Sequence, residues 1–412
     1  MATSASARSI GPVIAVLSIC SLLLWAGADA APARVQKAPR ISQREQLLQR
    51  LNAVAEKLDR SSPEVKQAHL NAQREFGRKY RDRKASPEGL TAPDAPPTVN
   101  WTAITNFISA YVTCRSLPGL AVAVVKDGQM VYANGFGYAQ YASPAQNTPV
   151  TTKSVFGIGS TSKAFTTMLL GMMADRRQLD WNGKVSNYIP GFALLDPVAS
   201  QLATVTDVLA HRTGLPRHDF ALFSTNATRQ ELVQLARYLQ PSTSFRNKWQ
   251  YNNWMVTVAG YIAQLVQGAS WESLVQSQIF DRLGMSHSYP NFTAAQQDPA
   301  LAMPLNWNGT SWEQISRDSD ILFDTVAPAG AINSNVEDMA KWMLLQLNQT
   351  QNMGNVQLVA PATLAYMHTP HMVIDPAPTL GKEMNELLLG DSYGLTWQVG
   401  NYRGTRRVFH DG

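Results

Sequence analysis

The chain has 412 residues, 45% of them hydrophobic and 16% charged, with a formal net charge of +5 and two cysteines. That length suits one large domain or two modest ones, and the apolar fraction excludes a wholly disordered chain. Two cysteines exclude a disulfide scaffold and a four-cysteine zinc site, and the positive charge raises a nucleic-acid reading that depends on where the charge sits.

The N-terminus reads as a secretory signal over residues 1–30. Arg8 is its basic start, Gly11–Ala26 its apolar run, and Ala28-Asp29-Ala30 its small-x-small cleavage site. The apolar run is short for a membrane span, so cleavage is expected, with no stable span afterwards. Cys20 leaves with the signal, and Cys114 alone remains, which forbids an intrachain disulfide. Asn-x-Ser/Thr sites at Asn100, Asn226, Asn291, Asn308 and Asn348 add to the expectation of a secreted, extracellular glycoprotein.

Residues 31–97 read as a basic, partly helical extension with a Pro-rich linker. Residues 31–100 hold 14 Lys and Arg against 8 Asp and Glu, a net of +6, whereas residues 101–412 hold 20 against 21, a net of −1. Leu47, Leu51, Val54 and Leu58 form one stripe of an amphipathic helix, and Ser62-Pro63-Glu64 starts a second. A basic cluster over Arg78–Lys84 precedes Pro87–Pro97, and a propeptide cut there is the sharper alternative to a solvated extension. A nucleic-acid arm, which would interleave stacking aromatics regularly with its charges, is not expected here.

Residues 98–412 read as the main domain. Leu120–Val125, Asp127-Gly128 and Met130–Tyr132 form a hairpin pattern. A helix opens near Ser160, with Ala164, Phe165, Met168, Leu169, Met172 and Met173 on a broad apolar face. Further helices are expected over Val205–Ala210, Trp254–Val266, Trp271–Leu283 and Val336–Leu347, the last capped by Ser334 or Asn335. Tyr393–Val399 and Arg406–His410 return to strand patterns. Strands at both ends with helices between suggest one sheet built from the two ends, crossed by a helical insert.

Three short motifs carry chemistry. In Ser160-Thr161-Ser162-Lys163, residues three apart share a helix face, so the lysine reaches the serine hydroxyl. Serine is a weak nucleophile without a base beside it, and a desolvated lysine can be that base. One such match is expected by chance in a chain this long; its place at the head of an apolar helix raises it above chance. In Tyr251-Asn252-Asn253, a tyrosinate could shuttle the serine proton and Asn253 could orient the lysine or bind a substrate amide. Tyr132-Ala-Asn134 and Tyr289-Pro-Asn291 share that spacing but lie in a hairpin and a polar turn. In His410-Asp411-Gly412, a strand could line the opposite face of a pocket, and Lys126-Asp127-Gly128 is a decoy explained by its turn.

The order Ser-x-x-Lys, Tyr-x-Asn, His-x-Gly resembles the serine β-lactamase and penicillin-binding-protein-like superfamily, in its class-C-like branch. Pro118–Gly128, Leu209–Pro216, Ile279–Met285, Ala327–Ala331 and Tyr393–Trp397 are similar to further segments of that family. The resemblance implies an α+β fold, a three-layer αβα sandwich of mostly antiparallel sheet flanked by helices, with a helical subdomain. It implies Ser160 as acylated nucleophile, Lys163 and Tyr251 as proton-transfer pair, Asn253 as positioning residue, and His410 and Gly412 as substrate-binding strand. His410 stands where β-lactamases carry a charged lysine, which favours esterase or peptidase-like chemistry over a dedicated β-lactamase. The resemblance also implies further strands after the third motif, with a second oxyanion donor at position 413. The domain is therefore expected to be C-terminally incomplete, poorly packed at its last strand and short of half its oxyanion hole.

The expectation is a secreted serine hydrolase acting on a small ester, amide or peptide substrate, with no cofactor, no metal and no nucleic-acid partner. A family scaffold kept for binding or assembly is the alternative. There is no Gly-x-Ser-x-Gly elbow and no zinc-protease pattern, and His368 and His371 read as loop residues.

Overall fold

The computed structural model describes residues 15–19, 99–141, 147–223, 225–308, 312–375, 391–402 and 404–412. The cleavage triplet, the Leu47–Leu58 stripe, the second extension helix and the Arg78–Lys84 cluster lie outside the described residues. The chain divides into two units, residues 23–114, and residues 115–412 together with 1–22. In the first, Trp101–Cys114 is a helix. Its cap is Asn100 Oδ1, which accepts from Ala103 N–H at 2.9 Å. Cys114 is exposed.

In the other unit, β1 (Ala15–Ile19), β2 (Gly119–Lys126), β3 (Gln129–Tyr141) and β4 (Asn147–Pro149) form an antiparallel sheet in that order. The Asp127-Gly128 turn joins β2 to β3, as its residues require. β2 is buried from Leu120 through Val125. A continuous apolar run replaces alternation because both faces of this strand are covered. Helix Val336–Gln346 lies against it, opened by Asn335, whose Oδ1 accepts from Asp338 N–H at 2.8 Å.

β5 (Phe156–Gly157) leads into a tight turn over Gly159–Ser162 and then helix Lys163–Asp175. This helix is buried on every side from Lys163 to Met173, beyond the one apolar face that its pattern predicts. Phe165 stacks on Trp342 at 3.8 Å and meets Phe280 edge-on at 5.7 Å. Burying such a ring contributes roughly 1.5–3 kcal/mol, and this packing is what holds the head of the helix rigid.

β6 (Leu305–Trp307) and β7 (Trp312–Gln314) form a small hairpin, and β8 (Asn333–Ser334) pairs with β5. β9 (Met372–Val373), β10 (Ser392–Tyr393), β11 (Gln398–Tyr402) and β12 (Thr405–Phe409) form a second antiparallel sheet in the order β12-β11-β10-β9. The single sheet expected from the two ends is thus two sheets among the described residues. In the first sheet β1 pairs with β2 and β4 with β3, and no described strand of the second sheet joins them. The architecture is mixed α+β with antiparallel sheets, the class expected from the sequence.

Two expected elements are broken. The helix over Trp271–Leu283 changes to wider π turns over Gln276–Phe280 before it ends at Gly284. The strand over Tyr393–Val399 is interrupted between β10 and β11, where Thr396 adopts a left-handed φ of 62°. Its hydroxyl lies 2.8 Å from that of Thr167, a buried tie to the central helix.

Helix Val205–Leu209 carries a capping box between Thr204 and Asp207. Asp207 is fully buried and receives Arg212 Nε at 2.6 Å, Arg246 Nε at 2.8 Å and Arg246 Nη2 at 2.7 Å. Burial pushes this carboxyl up, but the bonds from Arg246 and Thr204 outweigh it and hold its pKa below the ordinary carboxylate range. The clamp pins both ends of the segment that follows the helix, from Arg212 to Arg246.

Candidate active site

The Gly159–Ser162 turn places Ser160 at the head of the buried helix, half-exposed. Lys163, one turn on, is completely buried. Its Nζ lies 2.8 Å from Ser160 Oγ and donates to the carbonyl of Ala329 at 2.6 Å. Desolvation, and after it the charge of Arg217, drives the Lys163 pKa well below the usual lysine value. With the amine neutral, the 2.8 Å contact can run from the serine hydroxyl to the Nζ lone pair, the direction that proton abstraction requires.

Tyr251 closes the site from the loop before helix Asn253–Gln267. Its ring centroid is 4.8 Å from Lys163 Nζ. Desolvation pushes the phenol up, and the nearby Ser160 side chain and Arg217 pull it back only in part. Of the three Tyr-x-Asn triplets, this is the one that folding brings to Ser160. Tyr289 donates to Asp298 Oδ2 at 2.7 Å, and Tyr132 lies in β3.

Asn253 is buried, but its amide faces Asp219 rather than Lys163: Nδ2 donates to Asp219 Oδ1 at 3.0 Å. Its neighbour Asn252 caps the helix, accepting from Met255 N–H at 2.8 Å. Asp219 in turn pairs with Arg217 Nε at 2.5 Å.

The third motif follows directly on β12, outside the paired strand. His410 Nδ1 lies 2.5 Å from the carbonyl of Asp411, which can only accept, so the ring proton is on Nδ1. Nε2 then accepts from the hydroxyl of Tyr393 at 2.9 Å. Burial, followed by the charge of Lys163, lowers the His410 pKa to about 4. The imidazole is neutral at pH 7 and engaged at both nitrogens. Gly412 packs against the Ser160 turn so closely that a Cβ would lie 2.0 Å from Ile158 O and 2.9 Å from Thr161 Oγ1. On the other side Gly159, with φ of 52°, would place a Cβ 2.8 Å from the Gly412 carbonyl carbon. Both positions need glycine for the strand to touch the turn.

Four further participants escape the motif reading. His211 is fully buried, accepts from Asn252 N–H at Nδ1, and packs its ring 4.6 Å from Tyr251 and 4.9 Å from Tyr393. Tyr393, Arg217 and the Ala329 carbonyl complete the set. His211, Ala329 and Tyr393 fall inside the segments that resemble the family, whereas Arg217 lies one residue beyond one of them. Among the described residues no group of His, Cys, Asp and Glu could hold a metal ion. His368 Nε2 pairs with Gln346 Oε1 and His371 Nε2 with Tyr366 O. A separate cavity of about 970 Å³, lined by Phe192, Tyr238 and Tyr261, includes none of these site residues.

A family model described as Beta-lactamase matches residues 104–412, which span the site. Unguisins hydrolase ungD' of Aspergillus campestris is 30% identical over 308 residues, 72% of this chain and 54% of that protein. Unguisins hydrolase ungD of Aspergillus violaceofuscus is 32% identical over 323 residues, with the same shares. The chain spans about half the length of these curated relatives. The octameric penicillin-binding protein homologue from Pyrococcus abyssi superposes with a TM-score of 0.62 at 22% identity, over 75% of this chain and 67% of that one. The chain belongs to the beta-lactamase family.

Proposed function

We propose that this chain is a secreted serine hydrolase that holds the acyl group of a small ester, amide or peptide-like substrate on Ser160. The observation that carries this reading is the fully buried Lys163 amine 2.8 Å from Ser160 Oγ. Ser160 Oγ bonds to the substrate carbonyl carbon as its proton passes to the Lys163–Tyr251 pair. The pair returns that proton to the departing alcohol or amine as the scissile bond breaks. Water then attacks the ester on Ser160, its proton goes to the same pair, and the acid leaves as the pair reprotonates Ser160. The family resemblance implies the backbone N–H of Ser160 as a donor to the oxyanion that develops in this step. Two similar proteins are named hydrolases, which agrees with this chemistry.

The test is a fluorophosphonate or penicillin-type probe with mass mapping of the adduct. Labelling at Ser160 that disappears in Ser160→Ala is expected. Equal labelling of Ser160→Ala would overturn the reading, and a purified chain without acyl turnover would favour a binding role. Secretion is supported by the residue 1–30 signal pattern and by exposed sequons at Asn100, Asn226, Asn308 and Asn348; Asn291 is half-buried and caps a short helix. A mobility shift on deglycosylation of protein recovered from culture medium checks it.

A further inference from the structure

Tyr251 is flanked by the side chains of Lys163 and Arg217, of which Arg217 carries the fixed charge. Lys163 Nζ and Arg217 Cζ each lie 4.8 Å from the ring centroid. Lys163 comes from the buried helix, whereas the Arg217 side chain is 58% exposed, in the loop after Pro216. Arg217 is nonetheless fixed. Its Nε is bonded to Asp219 Oδ2, and Asp219 Oδ1 accepts from Asn253, the first residue of the helix that Tyr251 precedes. The guanidinium and the phenol ring are therefore held together through two hydrogen bonds.

We propose that Arg217 is a positioning residue whose fixed charge sets the proton affinity of the Lys163–Tyr251 pair, and so the pH at which Ser160 becomes nucleophilic. This rests on the acyl-enzyme reading above. A guanidinium does not titrate in the working range, and a positive charge beside the pair disfavours its protonated state whichever partner holds the proton.

The other charged and titratable groups around the pair do not supply that charge. His410 is bonded at both nitrogens and neutral, and His211 is buried and held neutral by desolvation. Tyr393 is buried and remains a phenol. The two carboxylates act in the opposite direction. Asp219 is bonded to Arg217 and Asn253, and Asp411 accepts from Gln398 Nε2 at 2.7 Å. Arg217 lowers the proton affinity of Lys163, His211 and Tyr251 alike, which agrees with its place in the geometry.

The experiment is the pH dependence, from pH 5 to 10, of Ser160 labelling by a fluorophosphonate and of kcat/KM for an uncharged aryl acetate. Wild type, Arg217→Gln and Arg217→Lys are compared in the full chain, with thermal unfolding as the folding check. Arg217→Gln is expected to move the acidic midpoint up by about one pH unit and slow labelling about tenfold at pH 7. Arg217→Lys should restore most of both. An unmoved midpoint in Arg217→Gln overturns the proposal. So does a KM increase confined to anionic esters with the midpoint unchanged, which would make Arg217 a substrate anchor instead. Wild type that fails to label at every pH overturns the acyl-enzyme reading itself, a result distinguishable from an Arg217 effect.

Discussion

The hydroxyl of Tyr393 donates to Nε2 of His410 at 2.9 Å, the direction set by the proton that the Asp411 carbonyl holds on Nδ1. Both side chains are buried, so neither nitrogen of His410 is left to offer a charge to substrate. Tyr393→Phe removes the donor and leaves Nε2 buried without it. The expected cost is about 1–2 kcal/mol of stability, read from urea unfolding. The neutral form of His410 also loses support, so its pKa should rise from about 4, observable by NMR titration of the imidazole.

The chain should be acid-labile. His410 and His368 titrate at about 4 in the folded protein, in both cases mainly because burial disfavours the charged ring. Unfolded, both return to about 6.5. The folded state then binds fewer protons across this window, so stability is lost as pH falls from about 6.5 and levels off below about 4. Each group contributes roughly 3 kcal/mol at most. Urea midpoints at pH 7, 5.5 and 4.5 should fall in that order, and His368→Gln should flatten the decline. A midpoint that is constant from pH 7 to 4.5 contradicts this.

Lys163 is completely buried, and its amine is expected to serve turnover at the expense of stability. Lys163→Met keeps the volume and removes the group that is hardest to desolvate, but leaves the Ala329 carbonyl without its donor. The two effects oppose each other, so unfolding free energy should stay within about 1–2 kcal/mol of wild type or exceed it. Acyl turnover should fall by about a thousandfold or more. A variant that unfolds outright while the residual folded fraction stays active would show a structural role instead.

Gly412 presses on the turn that carries Ser160. Gly412→Ala would place a Cβ 2.0 Å from Ile158 O, a distance that backbone can relieve only by moving the strand or the turn. Turnover should drop about a hundredfold, because positioning errors near 1 Å cost that much. Melting temperature should change little, as the strand end is exposed at this residue. Unchanged kcat would show that the strand and turn need not touch.

Much of the fold was legible because it is local. The β2–β3 hairpin follows from two apolar runs around Asp127-Gly128, and the helix at 253–267 from its apolar pattern and Gly268 stop. The breaks at 276–280 and 394–397 were not legible. A π turn and a left-handed threonine are set by what packs against them, and neither leaves a mark on hydropathy.

The same division runs through the site. The sequence by itself put Ser160 and Lys163 within reach of each other, because residues three apart on a helical turn share a face. It also determined that the third motif is a histidine rather than a charged lysine. Only the tertiary structure decided what these groups are. Lys163 is driven toward a free amine by burial against the Ala329 carbonyl, 166 residues away in the chain. The Asn253 amide is turned to Asp219, and a guanidinium lies over Tyr251. Proton affinities depend on solvent exclusion and on charges a few ångströms away, and those are fixed by contacts between distant segments, which spacing along a chain does not encode.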